Sequence, residues 1–159
     1  MAVETYPVDN RVGTSTNNNA AAGQIGEFVT STVAIGAAVA LTSGVTANVA
    51  SISLTAGNWD LSAVVDHGIG AATSVTQLNA SMSLTSATLS GQAGGSGLGS
   101  DATATASFAA MIPTSNITQA IPLVQLLVAA PTTVFLVAQD SFTLSTISAY
   151  GTIRARRVR

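Results

Sequence analysis

The chain has 159 residues, of which only 8% are charged, and it contains neither lysine nor cysteine. Because a typical soluble domain has about 25% charged residues, a surface this poor in charge must be wetted by hydroxyl groups or covered by other subunits. The absence of cysteine excludes a disulfide framework, thiolate chemistry and cysteine zinc sites. The length predicts a single domain that is large enough to bury a core.

The charge is distributed unevenly along the chain. The last six residues carry +4 and the preceding 153 residues carry −6, within a net charge of −2. This distribution does not indicate a general polyanion binder, although the C-terminus could meet an acidic partner. The first ten residues lack the basic and apolar regions of a signal peptide. The longest apolar runs, such as VAIGAAVAL at 33–41, are shorter than the roughly 18 residues of a membrane span, so we expect no membrane partner.

Residues 1–23 are predicted to form an arm in front of a domain that covers residues 24–159. The arm contains many turn-forming residues, including the run TSTNNNAAAG, and few large apolar groups. Both a disordered terminus and an extended arm that orders against a neighbouring subunit fit this composition. In the second case, the arm residues that would make the contacts are Tyr6, Val8 and Val12.

The rest of the chain shows the two-residue period of β-strands and no sustained 3.6-residue period. Turn-forming residues separate the strand-like segments at short intervals, which is typical of an all-β sandwich or barrel. Two segments, 121–128 and 132–139, are continuously apolar, as expected of strands buried on both faces. We predict eight or nine strands, and the main ones are 25–33, 50–56, 59–66, 77–85, 102–112, 121–128, 132–139 and 141–158. Residues 67–74 and 91–99 are predicted to be loops.

The clearest strand pattern lies in Ala50–Asp66. Apolar residues alternate with polar ones on each side of Gly57-Asn58. Because glycine and asparagine tolerate positive φ, this dipeptide predicts a two-residue hairpin turn between two neighbouring strands. Trp59, the only tryptophan, is predicted to anchor the core.

The sequence offers one histidine, His67, for acid–base or metal chemistry. Its neighbour Asp66 points to the opposite face of a strand and is poorly placed to orient it. We therefore predict a loop histidine bonded to backbone or water. A single histidine excludes the usual multi-histidine metal sites within one chain, which leaves only three copies of His67 meeting on a trimer axis.

The carboxylates do not form a recognisable catalytic pair. Asp60 and Asp66 share a strand face, but six residues of strand separate them by roughly 20 Å. Glycosidase pairs lie about 5–9.5 Å apart. Glu27, Asp101 and Asp140 are isolated in the sequence and are predicted to be solvated.

The glycine-rich stretch 91–99, GQAGGSGLG, is not a phosphate-binding loop, because the chain has no Walker lysine and no helix is predicted after the glycines. No catalytic residue, metal ligand or cofactor is therefore predicted, and the sequence does not indicate an enzyme.

The C-terminal arginines lie on a predicted strand. Its alternation places Arg154 and Arg156 on one face and Arg157 on the other, with Ile153 and Ala155. A solubilising edge, a seam of salt bridges between subunits and nucleic-acid binding are the three alternatives. No aromatic residues are interleaved with the arginines, so nucleic acid is disfavoured as a partner. Inter-subunit ion pairs are predicted for Arg154, Arg156 and Arg157.

Two blocks of the sequence resemble a recurring class of tailed-bacteriophage virion proteins. The first is GQIGEFVTSTVAIGAAVALTSGVTANVASISLTAGNWDLSAVV and the second is TTVFLVAQDSFTLSTISAYGTIRARRVR. Such proteins are described as tail-fibre, head-fibre or structural proteins. A tryptophan strand followed later by an aromatic-glycine strand is also similar to the trimeric jelly rolls of the tumour-necrosis-factor and complement type.

The resemblance implies a homotrimeric jelly-roll β-sandwich on the surface of a phage particle, without a cofactor. Because only about twenty residues precede the first block, a capsid decoration protein is favoured over a fibre with a long shaft. Its partners would be its own copies and the major capsid protein or another virion protein. The residues expected in the core or the trimer seam are Trp59, Phe108, Phe135 and Tyr150.

The alternative is a receptor-binding module of a tail or head fibre that recognises host surface glycans through loops 67–74 and 91–99. Those loops contain no aromatic residue, which disfavours a glycan site. A hydrolase is the third and least favoured class.

Overall fold

The computed structural model describes Thr16, residues 18–90 and residues 98–159. The described residues form nine strands and two short 3-10 turns, and none of them lies in an α-helix. The strands are β1 (Phe28–Val33), β2 (Val39–Ala40), β3 (Ala47–Leu54), β4 (Gly57–Ile69), β5 (Ser74–Ser83), β6 (Thr103–Met111), β7 (Ile117–Val128), β8 (Thr132–Thr143) and β9 (Ile147–Arg157).

The strands form two antiparallel sheets that pack face to face. Sheet 1 has the order β1-β9-β4-β7, with β2 also paired to β9, and sheet 2 has the order β3-β8-β5-β6. All of these pairs are antiparallel. The apolar faces of both sheets are buried in one shared core. The predicted all-β sandwich is confirmed at this level.

Strand β4 shows how the sequence builds the core. Its side chains are alternately buried and partly exposed from Trp59 to His67. Trp59 is fully buried, whereas Asp60 and Asp66 lie on the outer face. The other large apolar side chains that are fully buried in the core are Leu54, Leu61, Leu78, Met82, Leu136, Ile147 and Ile153.

The predicted hairpin at Gly57-Asn58 is wrong. β3 belongs to sheet 2 and β4 to sheet 1, so Thr55 and Ala56 carry the chain from one sheet to the other. Gly57 and Asn58 are the first residues of β4 rather than a turn. Two strands with one apolar face each can bury those faces side by side in one sheet or opposite each other across a sandwich. The alternation pattern is the same in both cases.

Two other strand predictions also need correction. β4 continues to Ile69, so only residues 70–73 of the predicted 67–74 loop connect β4 to β5. β7 is not buried on both faces, because it is an edge strand of sheet 1 whose residues are alternately exposed and buried.

The outer face of sheet 2 is partly covered by the chain itself. Ser83 ends β5, and the segment 84–90 then crosses this face. The backbone N–H of Ser90 donates to Ser81 Oγ (2.8 Å), and that of Ala87 donates to Asn48 Oδ1 (2.8 Å). As a result Ser81 and Ser83 are fully buried although they point away from the core. Residues 91–97, most of the predicted glycine-rich loop, lie outside the described residues.

Candidate functional site

His67 lies in β4 and points into the sandwich, where it is fully buried. Its Nδ1 lies 2.8 Å from Asp140 Oδ2, and its Nε2 lies 2.8 Å from Gln119 Oε1. The prediction of a loop histidine bonded to backbone or water is therefore wrong. The predictions that Asp140 is solvated and that His67 could meet its copies on a trimer axis are also wrong, because both side chains are enclosed within one chain.

The neighbours of His67 present oxygen atoms to both nitrogens of its ring. The side-chain amide of Gln119 donates to the Leu78 carbonyl (3.3 Å), so the Gln119 oxygen faces His67. On the other side, the Nδ1 atom of His67 lies within ion-pair distance of the buried Asp140 carboxyl. Asp140 Oδ1 also accepts from the backbone N–H of Asn79 (3.3 Å).

This His67–Asp140 network connects the two sheets. His67 and Gln119 belong to β4 and β7 of sheet 1, and Asp140 and Asn79 belong to β8 and β5 of sheet 2. A general base needs a free nitrogen within reach of a substrate. Both nitrogens of His67 are engaged and the ring is inaccessible to solvent. The geometry is therefore that of a structural cross-link between the sheets.

Arg157 forms a second buried network at the other end of the sandwich. Its Nε donates to Glu27 Oε2 (2.9 Å), its Nη1 donates to the Ala56 carbonyl (2.7 Å) and its Nη2 donates to Thr55 Oγ1. The guanidinium lies 4.2 Å from the ring centre of Trp59, at cation–π distance. This network attaches the C-terminal strand to the β3–β4 connection and to the segment before β1.

The C-terminal arginines separate as the alternation predicts, with Arg154 and Arg156 exposed and Arg157 buried. Arg157 forms its ion pair with Glu27 of its own chain, so it is not available for the inter-subunit pair predicted for it. Glu27, predicted to be solvated, is buried with it. In the described part of the chain, Arg154 and Arg156 have no ion-pair partner.

The environment of Glu27 makes it acid-sensitive. The backbone N–H of Gly23 donates to Glu27 Oε2 (2.7 Å) and lowers the pKa of the carboxyl below its ordinary value of 4.5. Burial opposes this effect, and the Arg157 guanidinium adds to it. The ionised carboxylate is therefore favoured in the folded protein.

Glu27→Gln is expected to remove an acid-labile part of the stability. Because the folded pKa is lowered, the carboxylate stabilises the fold above about pH 4.5, and this contribution is lost as the pH falls through the folded pKa. Urea unfolding of both proteins between about pH 7 and about pH 3 should show the wild type to be more stable at neutral pH, with the difference disappearing in acid. A difference that is constant over this range would contradict the assignment.

The aromatic residues predicted for the core or seam are found in different environments. Trp59 is in the core, where its indole N–H donates to the Thr55 carbonyl (3.0 Å). Phe108 is partly buried against the core, and Phe135 is partly buried on the outer face of sheet 2. The Tyr150 hydroxyl accepts from the Asn116 side chain (3.2 Å) on the outer face of sheet 1. The arm residues Tyr6, Val8 and Val12 lie outside the described residues.

The candidate functional surface is an uncharged edge of the sandwich, where β7 of sheet 1 and β6 of sheet 2 lie side by side. Neither strand contains an ionisable residue. On β7, Leu123 is 64% exposed and Leu127 is 72% exposed. Proteins normally protect a free edge strand with charges, proline, bulges or a cover, because its unpaired backbone groups otherwise recruit another chain. Here the protection is local: Pro122 and a register shift interrupt β7, a register shift interrupts β6, and the short turn Ser100–Ala102 packs against β7. This β6–β7 edge therefore has the properties of a protein interface.

A second apolar region lies at one end of the sandwich, in the loops 41–46, 70–73, 112–116 and 144–146. Hydrogen bonds connect these loops to their neighbours, including Phe142 N–H to Ser43 Oγ (2.9 Å) and Gly70 N–H to the Thr146 carbonyl (2.9 Å). None of the four loops contains a charged residue. Leu144 is 83% exposed and has a φ of +75°, a backbone state that costs a residue with a side chain about 1–2 kcal/mol. This loop end also exposes Val45 and Ile112.

The sequence contained a signal for the β6–β7 edge that allowed two interpretations. The run IPLVQLLV breaks the alternation of apolar and polar residues. This composition predicts a strand buried on both faces within the domain, whereas in the single chain one of its faces is open. A strand buried on both faces only after assembly would have the same composition.

Within the described residues, no helix is long and apolar enough to cross a membrane, and no group of three potential metal-binding side chains occurs. Comparison of the chain with protein-family models, with curated proteins and with solved structures yields no match.

Proposed function

We propose that this protein is a structural protein of a bacteriophage virion, a homotrimeric jelly-roll domain that decorates the capsid and stabilises it through passive protein–protein contacts. The observation that carries the proposal is the β6–β7 edge, a long uncharged sheet edge with exposed leucines. The sequence resemblance to phage virion proteins supplies the biological setting.

The strand order supports a jelly roll. With β1 and β2 counted as one strand, the first strand pairs with the last, the second with the second-last, and so on to the adjacent pair β5–β6. This nested pairing is the pattern of a long two-stranded ribbon rolled into two sheets of four strands. Jelly rolls of this kind are common in viral capsid proteins.

The proposed mechanism is burial of neutral surface. Each Å² of apolar area removed from water stabilises an assembly by roughly 25 cal/mol, and a stable interface buries about 800 Å² on each partner. Leu123 and Leu127 would lie in the seam between copies. The apolar loop end, with Leu144 at its tip, would contact the capsid shell.

Leu127→Asp tests the subunit interface. A charge placed in the seam would be desolvated without a partner, so we expect the trimer dissociation constant to rise at least tenfold. Analytical ultracentrifugation over a range of protein concentrations measures this change. The matched control is Ser53→Asp, because Ser53 is an exposed residue of β3 on the opposite side of the sandwich.

The wild type is expected to be a trimer and the control is expected to remain one. A monomeric wild type would overturn the trimer. A Leu127→Asp variant that assembles like the wild type would exclude the β6–β7 edge as the interface.

The virion role is tested by sedimenting the purified protein with empty expanded capsids and with host cells. Decoration is supported if the protein binds to capsids and if Leu144→Ser weakens this binding. Thr143→Ser, at the preceding residue, should not weaken it. Binding to host cells without binding to capsids would instead support the receptor-binding alternative. In purified virions, hundreds of copies per particle support the capsid role, whereas a few dozen would overturn it.

A further inference from the structure

The second free edge of sheet 1 is formed by β1. Among the described residues, β1 pairs with β9 and with no other strand. In an antiparallel pair, the N–H and C=O groups of one residue point towards the partner strand, and those of the next residue point away from it. The Glu27 carbonyl accepts from the Arg157 N–H (2.8 Å), so every second residue from Glu27 points towards β9. The backbone groups of Phe28, Thr30 and Thr32 therefore point away from β9. These three residues form the open edge.

At Phe28, this edge is already occupied by the side chain of Asn19, which makes the hydrogen bonds of a neighbouring strand. The amide of Asn19 accepts from the Phe28 N–H (2.8 Å) and donates to the Phe28 carbonyl (2.7 Å). These two bonds are the ones that a neighbouring strand would make. Among the described residues, no backbone group pairs with Thr30 or Thr32 on the side away from β9.

We propose that the open edge of β1 at Thr30 and Thr32 binds the N-terminal arm of a second copy of this chain as an added strand. The inference rests on the proposed self-assembly and names the contact by which the arm takes part in it. Backbone bonds to an edge strand are a common way to bind an extended peptide.

The length of the arm fits this occupant. Fifteen residues precede Thr16 in the sequence, and an extended chain spans about 3.3 Å per residue, or about 50 Å in all. This length is enough to cross from one sandwich to the edge of its neighbour. The exposed ring of Phe28 offers an apolar contact beside the edge.

Charge also favours the arm. Arg154 lies opposite Thr30 in the β1–β9 pairing, and Arg156 lies opposite Phe28. Both arginines are exposed and lack an ion-pair partner in the described part of the chain. The arm carries two acidic residues, Glu4 and Asp9, whose carboxylates complement the arginines of this face.

Cysteine cross-linking tests the contact cleanly because the chain has no cysteine of its own. A Val8→Cys/Thr32→Cys double variant is oxidised and run on a non-reducing denaturing gel. We expect a ladder up to the trimer, with at least ten times the cross-linked fraction of a Val8→Cys/Ser53→Cys control. The same experiment with Val12→Cys in place of Val8→Cys covers a shift in register.

Adding Thr30→Pro should abolish the ladder. Proline removes an N–H that the β1–β9 pairing does not use, so it blocks a further strand and leaves the fold intact. Circular dichroism checks the fold of this variant. An unchanged ladder would overturn the proposal.

The possible failures are distinguishable. If ultracentrifugation shows a trimer but neither double variant forms a ladder, the arm contact is wrong and the proposed assembly stands. A cross-link only within one chain also overturns the contact. A wild type that is monomeric in ultracentrifugation overturns both the contact and the assembly.

Discussion

Replacing His67 by leucine is expected to destabilise the fold by about 3–5 kcal/mol, the usual cost of leaving one member of a buried pair of ionisable groups without its partner. The leucine fills the space but leaves the Asp140 carboxyl fully buried without its imidazole partner. It also leaves the Gln119 oxygen without a donor. Asn79 N–H is then the only group among the described contacts that stabilises the charge of Asp140.

Guanidinium unfolding followed by the fluorescence of the single tryptophan measures this cost. Trp59 is fully buried, so its emission reports loss of the core. Protein concentration must be the same for all variants, because self-assembly adds to the apparent stability.

The double variant His67→Leu/Asp140→Leu is the informative control. Replacing a whole buried ion pair by apolar residues is often close to neutral, so the double variant should recover most of the loss. If His67→Leu alone changes the free energy of unfolding by less than about 1 kcal/mol, the buried His67–Asp140 pair does not stabilise the fold. The recovery distinguishes an uncompensated charge from a simple packing defect.

The strands themselves could be predicted because burial of one face requires apolar residues at every second position of a strand. In β4 this period places the residues from Trp59 to Asp66 on the correct face, and in β9 it separates Arg154 and Arg156 from Arg157. This two-residue period gives no information about which strands are neighbours in a sheet. This is why the alternation in Ala50–Asp66 predicts a hairpin, whereas the two strands belong to different sheets.

The polar networks could not be predicted because their partners are far apart in the sequence. His67 and Asp140 are 73 residues apart, and Glu27 and Arg157 are 130 residues apart. An isolated acid in a sequence is usually solvated, and only the fold shows which acids meet a cation. The open face of β7 at the β6–β7 edge could not be predicted for a different reason. An apolar strand has the same composition whether the domain itself or a second copy covers it.

Gly151→Ala is expected to destabilise the fold by about 3 kcal/mol or more, because β9 and β4 approach each other too closely here for a side chain. A Cβ atom on Gly151 would lie 2.1 Å from the Val64 carbonyl oxygen and 3.0 Å from Val65 Cα. Both are backbone atoms of β4 at the centre of sheet 1, so no flexible side chain can move aside. The φ of Gly151, +155°, is also one that residues with a side chain rarely adopt.

The matched control for this variant is Gly36→Ala, since a Cβ at Gly36 would meet nothing within 4 Å. Both variants add one methyl group, and Gly36 has neither the close contacts nor the positive φ of Gly151. Guanidinium unfolding should leave Gly36→Ala within about 0.5 kcal/mol of the wild type, as is usual for surface substitutions. A Gly151→Ala protein as stable as this control would mean that β4 and β9 are farther apart than described. A large difference between the two variants would instead show that Gly151 is required to bring β9 against β4, which is also the packing that positions Arg157 over Trp59.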